Sequence, residues 1–339
     1  MQFTFFKTGL TCAAAALGFA GILASGGTQA ADMVLKASHQ FPGGKGDVRD
    51  EMVQIVAREV KKANVGIEIK VYPAQSLYKA KEQWGALTKG QLDLTSLPLD
   101  YASGRHPQFS ATLMPGLVRN HDHALRLNAS PFMTDIKKVI DKGGAIVLAD
   151  AWLSGAFASK KACITNPPSI KGQVTRAAGP AFEQMLVGAG ASVSSMASSA
   201  IYNGLQTGVL DATNTSSGSF VSFRLYEQTK CLTAPGANAL WFMYEPLLIS
   251  KRTWGKLNAK QKAALKAAAK KAETYFVGES KKLDDKMIAT FKKAGVKVVE
   301  MSKDDYDAWL AVAKKTSYKV FAEKVPGGKE LIEKALAVK

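Results

Sequence analysis

A chain of 339 residues, 47% hydrophobic and 22% charged, with 29 Gly, 12 Pro and 3 Cys, has ordinary globular composition, which excludes disorder, collagen-like structure and a small disulfide scaffold. The length suits about two domains, each burying its own core. Lys+Arg at 45 against Asp+Glu at 28 gives +17, a basicity whose meaning depends on where the charges sit.

The first 30 residues hold one charge, Lys7, then an apolar run from Leu10 to Leu23 and a small-residue exit, Thr28-Gln-Ala30. This is the pattern of a cleavable export signal, with cleavage expected after about Ala30. The run is shorter than the roughly 20 residues a membrane span requires. No later segment is long and apolar enough to span, so the mature protein is expected to be exported without stable membrane insertion. Cys12 leaves with the signal. Cys163 and Cys231 remain, an even pair in an oxidising compartment, and one disulfide is expected, the alternative being two buried thiols.

Strands and helices then alternate. Val34–Ala37 reads as a strand and 41–46 as a Gly-rich loop. Asp47 caps a helix with apolar positions Val48, Met52, Ile55, Val56 and Val60. Ile67–Tyr72 alternates as a strand and stops at Pro73. Glu82–Lys89 reads as a helix closed by Gly90, Leu92–Leu97 as a strand, and Ala145–Ala149 as another running into Trp152. A strand carrying Arg176 precedes a helix at Pro180–Gly188. Ser199–Thr207 reads as a helix and Val209–Thr213 as a strand. Asn258 with Gln261 forms a capping box before the stripe Leu265, Ala268, Ala272, Tyr275, Phe276. Ser302 with Asp305 caps a last long helix, where Tyr306, Trp309, Leu310, Ala313, Ser317, Val320 and Phe321 share a core face. This alternation predicts an α/β fold with mostly parallel sheets.

The lysines, among them Lys260, Lys262, Lys266, Lys270 and Lys271, interleave with alanine opposite the apolar stripes, as solvated faces do. No aromatic–basic interleaving, zinc spacing or recognition-helix pattern accompanies them, so no nucleic-acid partner is expected. No Gly-x-Ser-x-Gly, His-Glu-x-x-His, P-loop or Gly-x-Gly-x-x-Gly occurs. His121-Asp-His123 has metal potential but no third ligand spaced nearby, and reads as a polar helix start. No catalytic residue, metal or cofactor is expected. An exported metal-dependent enzyme or a basic polyanion binder are the alternatives.

Five segments carry a resemblance. Ser169-Ile-Lys-Gly-Gln-Val-Thr-Arg-Ala-Ala-Gly179 resembles the D-L-K-G-x-K-I-R-x-x-G stretch of the extracytoplasmic solute receptors of TRAP transporters, the tripartite ATP-independent periplasmic carriers. Val71–Leu77, Ala86–Leu94, Ile201–Asp211 and Leu248–Trp254 resemble four further family segments in the same order. Together they span nearly the whole mature chain.

The resemblance implies a two-lobed periplasmic-binding-protein fold with a mostly parallel sheet in each lobe, crossing segments and a long helix. The lobes are expected at 31–153 plus about 240–285 and at 154–239 plus about 286–339. A small organic acid is expected between them, delivered to the membrane subunits of a TRAP transporter. Arg176 matches the family's carboxylate clamp, and a guanidinium suits that role because it donates two parallel hydrogen bonds. Phe157 stands where many relatives carry a second arginine, which favours a monocarboxylate, an aromatic or 2-oxo acid among them, because a second buried carboxylate would lack a partner. Asn214 and Ser217 replace the usual acidic contact with neutral groups. Trp152 and Trp241 are candidate apolar walls, and Gln83 and His39 complete the candidate ligand set.

Overall fold

The computed structural model describes residues 33–339; the expected export signal, Cys12 and the cleavage point near Ala30 lie outside the described residues. Among the described residues no helix is long and apolar enough to cross a membrane.

Twelve strands occur among these residues: β1 Met33–Ser38, β2 Ile67–Tyr72, β3 Leu94–Ser96, β4 Ala145–Ala149, β5 Trp152–Ser159, β6 Val174–Ala177, β7 Ser192–Ser195, β8 Ala212–Ser216, β9 Cys231–Ala234, β10 Phe242–Tyr244, β11 Leu247–Ser250 and β12 Lys297–Glu300. The first sheet has the order β2-β1-β3-β11-β4, and the second β12-β9-β5-β8-β6-β7 with β10 added against β5. In the first, β1 is parallel to β2 and β3, whereas β11 is antiparallel to β3 and β4. In the second, β5 is antiparallel to β8, β9 and β10, and the remaining pairs are parallel. Each sheet is therefore parallel except for one strand. That strand adjoins a crossing between sheets.

Asp150–Ala151 lead from β4 to β5, and Glu245–Pro246 from β10 to β11. The two crossings lie side by side, since Trp152 pairs with Tyr244 and the Glu245 N–H donates to the Ala151 carbonyl at 2.8 Å. A third link is the helix Ala259–Ser280, started by the expected Asn258–Gln261 capping box. It packs along the first helix, Val48–Ala63, and the next helix, Leu283–Lys293, packs on Ser217–Ser222 beyond β8. Both stripes that spaced the apolar residues at helical intervals are buried at this contact: Val48, Met52, Val56 and Val60 face Leu265, Ala268, Ala272 and Phe276 within one core.

The last helix departs from the expected uninterrupted run. Lys303–Ala313 passes into a π turn at Lys314–Tyr318 before Lys319–Lys324. The wider turn sends the Ser317 hydroxyl to the Ala181 carbonyl at 2.5 Å and the Tyr318 hydroxyl to the Pro115 carbonyl at 2.9 Å, so it holds both lobes. The final helix, Gly328–Leu336, packs on Pro131–Lys142, which returns the tail to the first lobe.

Two boundaries also shift. The strand expected at 209–213 begins instead at Ala212, because Gly208 adopts φ +80° and the Leu210 N–H turns back to the Gly204 carbonyl at 2.9 Å. The helix expected from Glu82 starts with a 3₁₀ turn at Ala80–Glu82. Cys163 and Cys231 form a disulfide with Cα atoms 5.1 Å apart, inside the range such a bond spans.

Candidate functional site

Two arginines, Arg49 and Arg176, are among the largest fully buried side chains, and their surroundings differ. Arg49 lies in the helix that Asp47 caps. Its Nη2 contacts Asp47 Oδ2 at 2.7 Å and its Nη1 contacts Glu245 Oε2 at 3.1 Å. Nη1 also donates to the Ser216 and Ser219 hydroxyls at 3.1 and 3.0 Å, and the guanidinium lies 3.7 Å from the Phe41 ring centroid. Despite full burial its pKa is raised, by the Asp47 and Glu245 carboxylates. Arg49 thus joins the first lobe to the crossing at Glu245 and to the end of β8. Its charge is matched.

Arg176 carries no such partner: among the described residues no carboxylate lies within ion-pair distance of it. Nε donates to the Met196 carbonyl at 2.9 Å, Nη1 to the Asn214 carbonyl at 2.9 Å, and Nη2 to the Tyr101 hydroxyl at 3.1 Å. A guanidinium has five N–H groups, so one on each terminal nitrogen is left for another acceptor. Burial lowers its pKa, with Tyr101, Asp100 and Glu245 acting the other way. A buried cation without an anion is costly, and a guanidinium with a free N–H on each terminal nitrogen is a partner for a carboxylate.

Other buried polar groups are also unsatisfied. Arg176 and Asn214 sit on β6 and β8, locked by the Asn214 side-chain amide donating to the Arg176 carbonyl at 2.7 Å, which leaves Asn214 Oδ1 without a partner. Trp241 lies against β5, where a Cβ on Gly155 would fall 2.5 Å from its ring, and its indole N–H is buried without an acceptor. From the first lobe, Tyr101 reaches across: its hydroxyl oxygen also receives the Ser198 N–H at 2.8 Å and lies 3.4 Å from Gln40 Nε2. Ser38 and Ser96, at the carboxyl ends of β1 and β3, and Gln40 Oε1 are likewise buried and unpaired. Asp100, beside Tyr101, is 1% exposed, and burial pushes its carboxyl up to about 6. Native folds rarely leave a buried polar atom unpaired, and these lie on strands and loops of both lobes. The carboxyl ends of strands at a switch between two sheets are where α/β folds place small ligands.

The family model described as bacterial extracellular solute-binding protein, family 7 (DctP) matches residues 47–324. The chain belongs to this family. A relative from Albidiferax ferrireducens, named a solute-binding protein, is 37% identical over 302 residues, covering 88% of this chain and 89% of that one. The C4-dicarboxylate-binding periplasmic protein DctP of Rhodobacter capsulatus is 25% identical over 289 residues, covering 83% and 84%. A solved TRAP periplasmic solute-binding protein from Rhodoferax ferrireducens, with bound malonate, superposes with TM-score 0.86 at 37% identity, covering 89% of this chain and 96% of that one. The two-lobed fold is that of TRAP receptors, and the family is one of extracytoplasmic solute receptors, not enzymes.

Within the receptor the expected site residues fall into two groups. Arg176, Asn214 and Trp241 keep unpaired polar atoms at the lobe junction. The others are occupied by the fold. His39 Nε2 meets Asp50 Oδ1 at 3.1 Å and its Nδ1 accepts the Phe41 N–H at 3.3 Å. Gln83 Oε1 accepts from Thr95 at 2.8 Å and its amide donates to the Tyr78 carbonyl. Ser217 bonds Asp284 together with Ser154. The Trp152 indole donates to Asn128 Oδ1 at 2.8 Å, and its ring packs on Tyr244. Phe157 stacks on Trp309 at 5.4 Å, joining β5 to the C-terminal helix. His121 starts the helix His121–Asn128 behind its Asn120 cap and contacts Asp284 at 3.4 Å. Tyr101, Asp100 and Arg49 escaped the sequence reading. Each stands outside the recognised segments and gains its meaning from residues of the other lobe or of a crossing.

Proposed function

We propose that the receptor binds a small organic acid at the lobe junction, with Arg176 as the clamp for its carboxylate. The observation that carries this reading is the contrast between the two buried arginines: Arg49 is neutralised by Asp47 and Glu245, whereas Arg176 has no ion pair. Asn214 Oδ1 and the Trp241 N–H orient the rest of the ligand. Closure is the mechanism: an acid that contacts Arg176 from one lobe and the Ser38, Gln40 and Ser96 side from the other stabilises the closed state by its differential affinity for it. We read 31–153 with about 240–285 as one moving lobe and 154–239 with about 286–324 as the other, hinged at the paired crossings, with the final helix Gly328–Leu336 carried on the first lobe instead of the second as expected. The export signal is removed after about Ala30, and the loaded receptor hands its ligand to the membrane subunits of a TRAP transporter.

A monocarboxylate, an aromatic or 2-oxo acid among them, is favoured by Phe157 at the position of a second arginine. A short dicarboxylate is the second reading, because the Rhodoferax neighbour was solved with malonate.

The test is a thermal-shift screen of mono- and dicarboxylates on the wild type and on Arg176→Ala. A ligand at about 100 times its Kd stabilises the wild type by roughly 2.7 kcal/mol. The variant should keep its apo melting transition and lose the shift for every acid. A variant that still shifts like the wild type refutes the site.

A further inference from the structure

Asp100 is a carboxylate in what is otherwise an anion site. It lies in the 3₁₀ turn Leu99–Ala102, directly before Tyr101, and is 1% exposed. Neither of its oxygens makes a well-formed hydrogen bond. The second lobe packs directly on it: a Cβ on residue 179, where β6 hands over to the helix Pro180–Gly188, would fall 1.8 Å from Asp100 Oδ2, so any larger residue there would displace this carboxyl. Arg176 on β6 and Lys81 on the preceding 3₁₀ turn are the cations that act on it, with the Ser103 and Ser110 hydroxyls nearby. The packed strand β10 adds no charge, and its Tyr244 phenol is taken by Asp150. Asp100 is therefore close enough to Arg176 to feel its charge, yet outside ion-pair distance of it, and its two oxygens have only the Ser103 and Ser110 hydroxyls within their reach.

We propose that Asp100 sets the ligand class of this site: whatever part of the acid lies next to it must present a hydrogen, as a hydroxyl, an ammonium or a protonated second carboxyl. The inference rests on the acid-clamp reading above. A ligand wedged between Arg176 and Asp100 gives its carboxylate to the first and a donor to the second. A donor-free acid leaves a buried anion unsatisfied, and a dianion sets like charges together. A dicarboxylate consequently binds with uptake of one proton, shared between its distal carboxyl and Asp100. The raised pKa of Asp100 agrees with this, because it lowers the cost of that proton near neutrality.

The test is titration calorimetry with matched acids, lactate against propionate and mandelate against phenylacetate, plus succinate in two buffers of different ionisation heat. On the wild type near pH 8, the hydroxy acid of a bound pair should be tighter by about tenfold or more, and any succinate binding should take up about one proton. Asp100→Leu should bring the hydroxy-to-deoxy ratio towards one, and Asp100→Asn should remove the proton uptake. The wild-type measurements stand even if one variant fails to fold. Equal affinity within a pair, or succinate bound without a proton, overturns the role of Asp100 while leaving the Arg176 clamp intact. If none of these acids binds the wild type, or Arg176→Ala binds them unchanged, the clamp reading fails and this inference with it.

Discussion

The Tyr101 hydroxyl, in the first lobe, accepts a hydrogen bond from Nη2 of Arg176, in the second, at 3.1 Å. The same oxygen accepts the Ser198 N–H at 2.8 Å. One phenol therefore ties the proposed clamp and the loop after β7 to the opposite lobe. Tyr101→Phe keeps the ring and removes the bridge. A hydrogen bond to a charged group contributes about 1.5–3 kcal/mol, so the apo protein should lose stability of that order, and ligand affinity should fall as well because the guanidinium is less firmly held. Calorimetry on the variant checks this, and an unchanged Kd contradicts it.

Arg49 predicts the opposite balance. Replacing it with Met strands Asp47 and Glu245 in the interior, and removing one member of a buried ion network costs roughly 3–5 kcal/mol. Burial already raises the pKa of Glu245 against the pull of Arg49. Arg49→Met should lose much of its stability to denaturant near pH 7. Adding Glu245→Gln should recover part of the loss, and a double variant no better than the single contradicts the account.

Asp100 makes apo stability depend on pH. Its carboxyl rises from 3.8 to about 6 in the folded chain. Between those values the folded state keeps a proton that the unfolded state has released, so stability falls as pH rises through about 4 to 6 and stays lower above. Asp100→Asn should be the more stable protein at neutral pH, by on the order of 2–3 kcal/mol. That advantage should vanish below about pH 4. A difference that does not vary with pH, measured by denaturant melts across this range, contradicts the assignment.

The disulfide should matter for stability and not for binding. Cys231 opens β9, at the strand's amino end, whereas the proposed ligand site lies at carboxyl ends. Its sequence separation is 68 residues, and losing such a bridge costs roughly 2–5 kcal/mol. The Cys163→Ala, Cys231→Ala double variant should melt earlier and bind its acid with wild-type affinity.

Local chemistry was readable from the residues. The caps at Asp47, Asn258 and Ser302 form as expected, because each needs only a side chain and the backbone two or three positions on. Arg176 could be singled out because its motif is contiguous. What the chain could not disclose is which polar groups end up satisfied. His39 and Gln83 find Asp50 and Thr95 within their own lobe, and Phe157 finds Trp309 from 152 positions further along. Asp100 and Tyr101, unremarkable in sequence, acquire their importance only when the second lobe brings Gly179 and Arg176 against them. The π turn at Lys314–Tyr318 was hidden for a similar reason, since the hydroxyls that use it bond to carbonyls of both lobes.

The most direct measurement is a crystal structure of the receptor with a bound carboxylic acid. The account predicts both acid oxygens within about 2.7–3.1 Å of the terminal nitrogens of Arg176, with a ligand hydrogen directed at Asp100. An acid held elsewhere, with the Arg176 guanidinium making only its bonds to Met196, Asn214 and Tyr101, would contradict it.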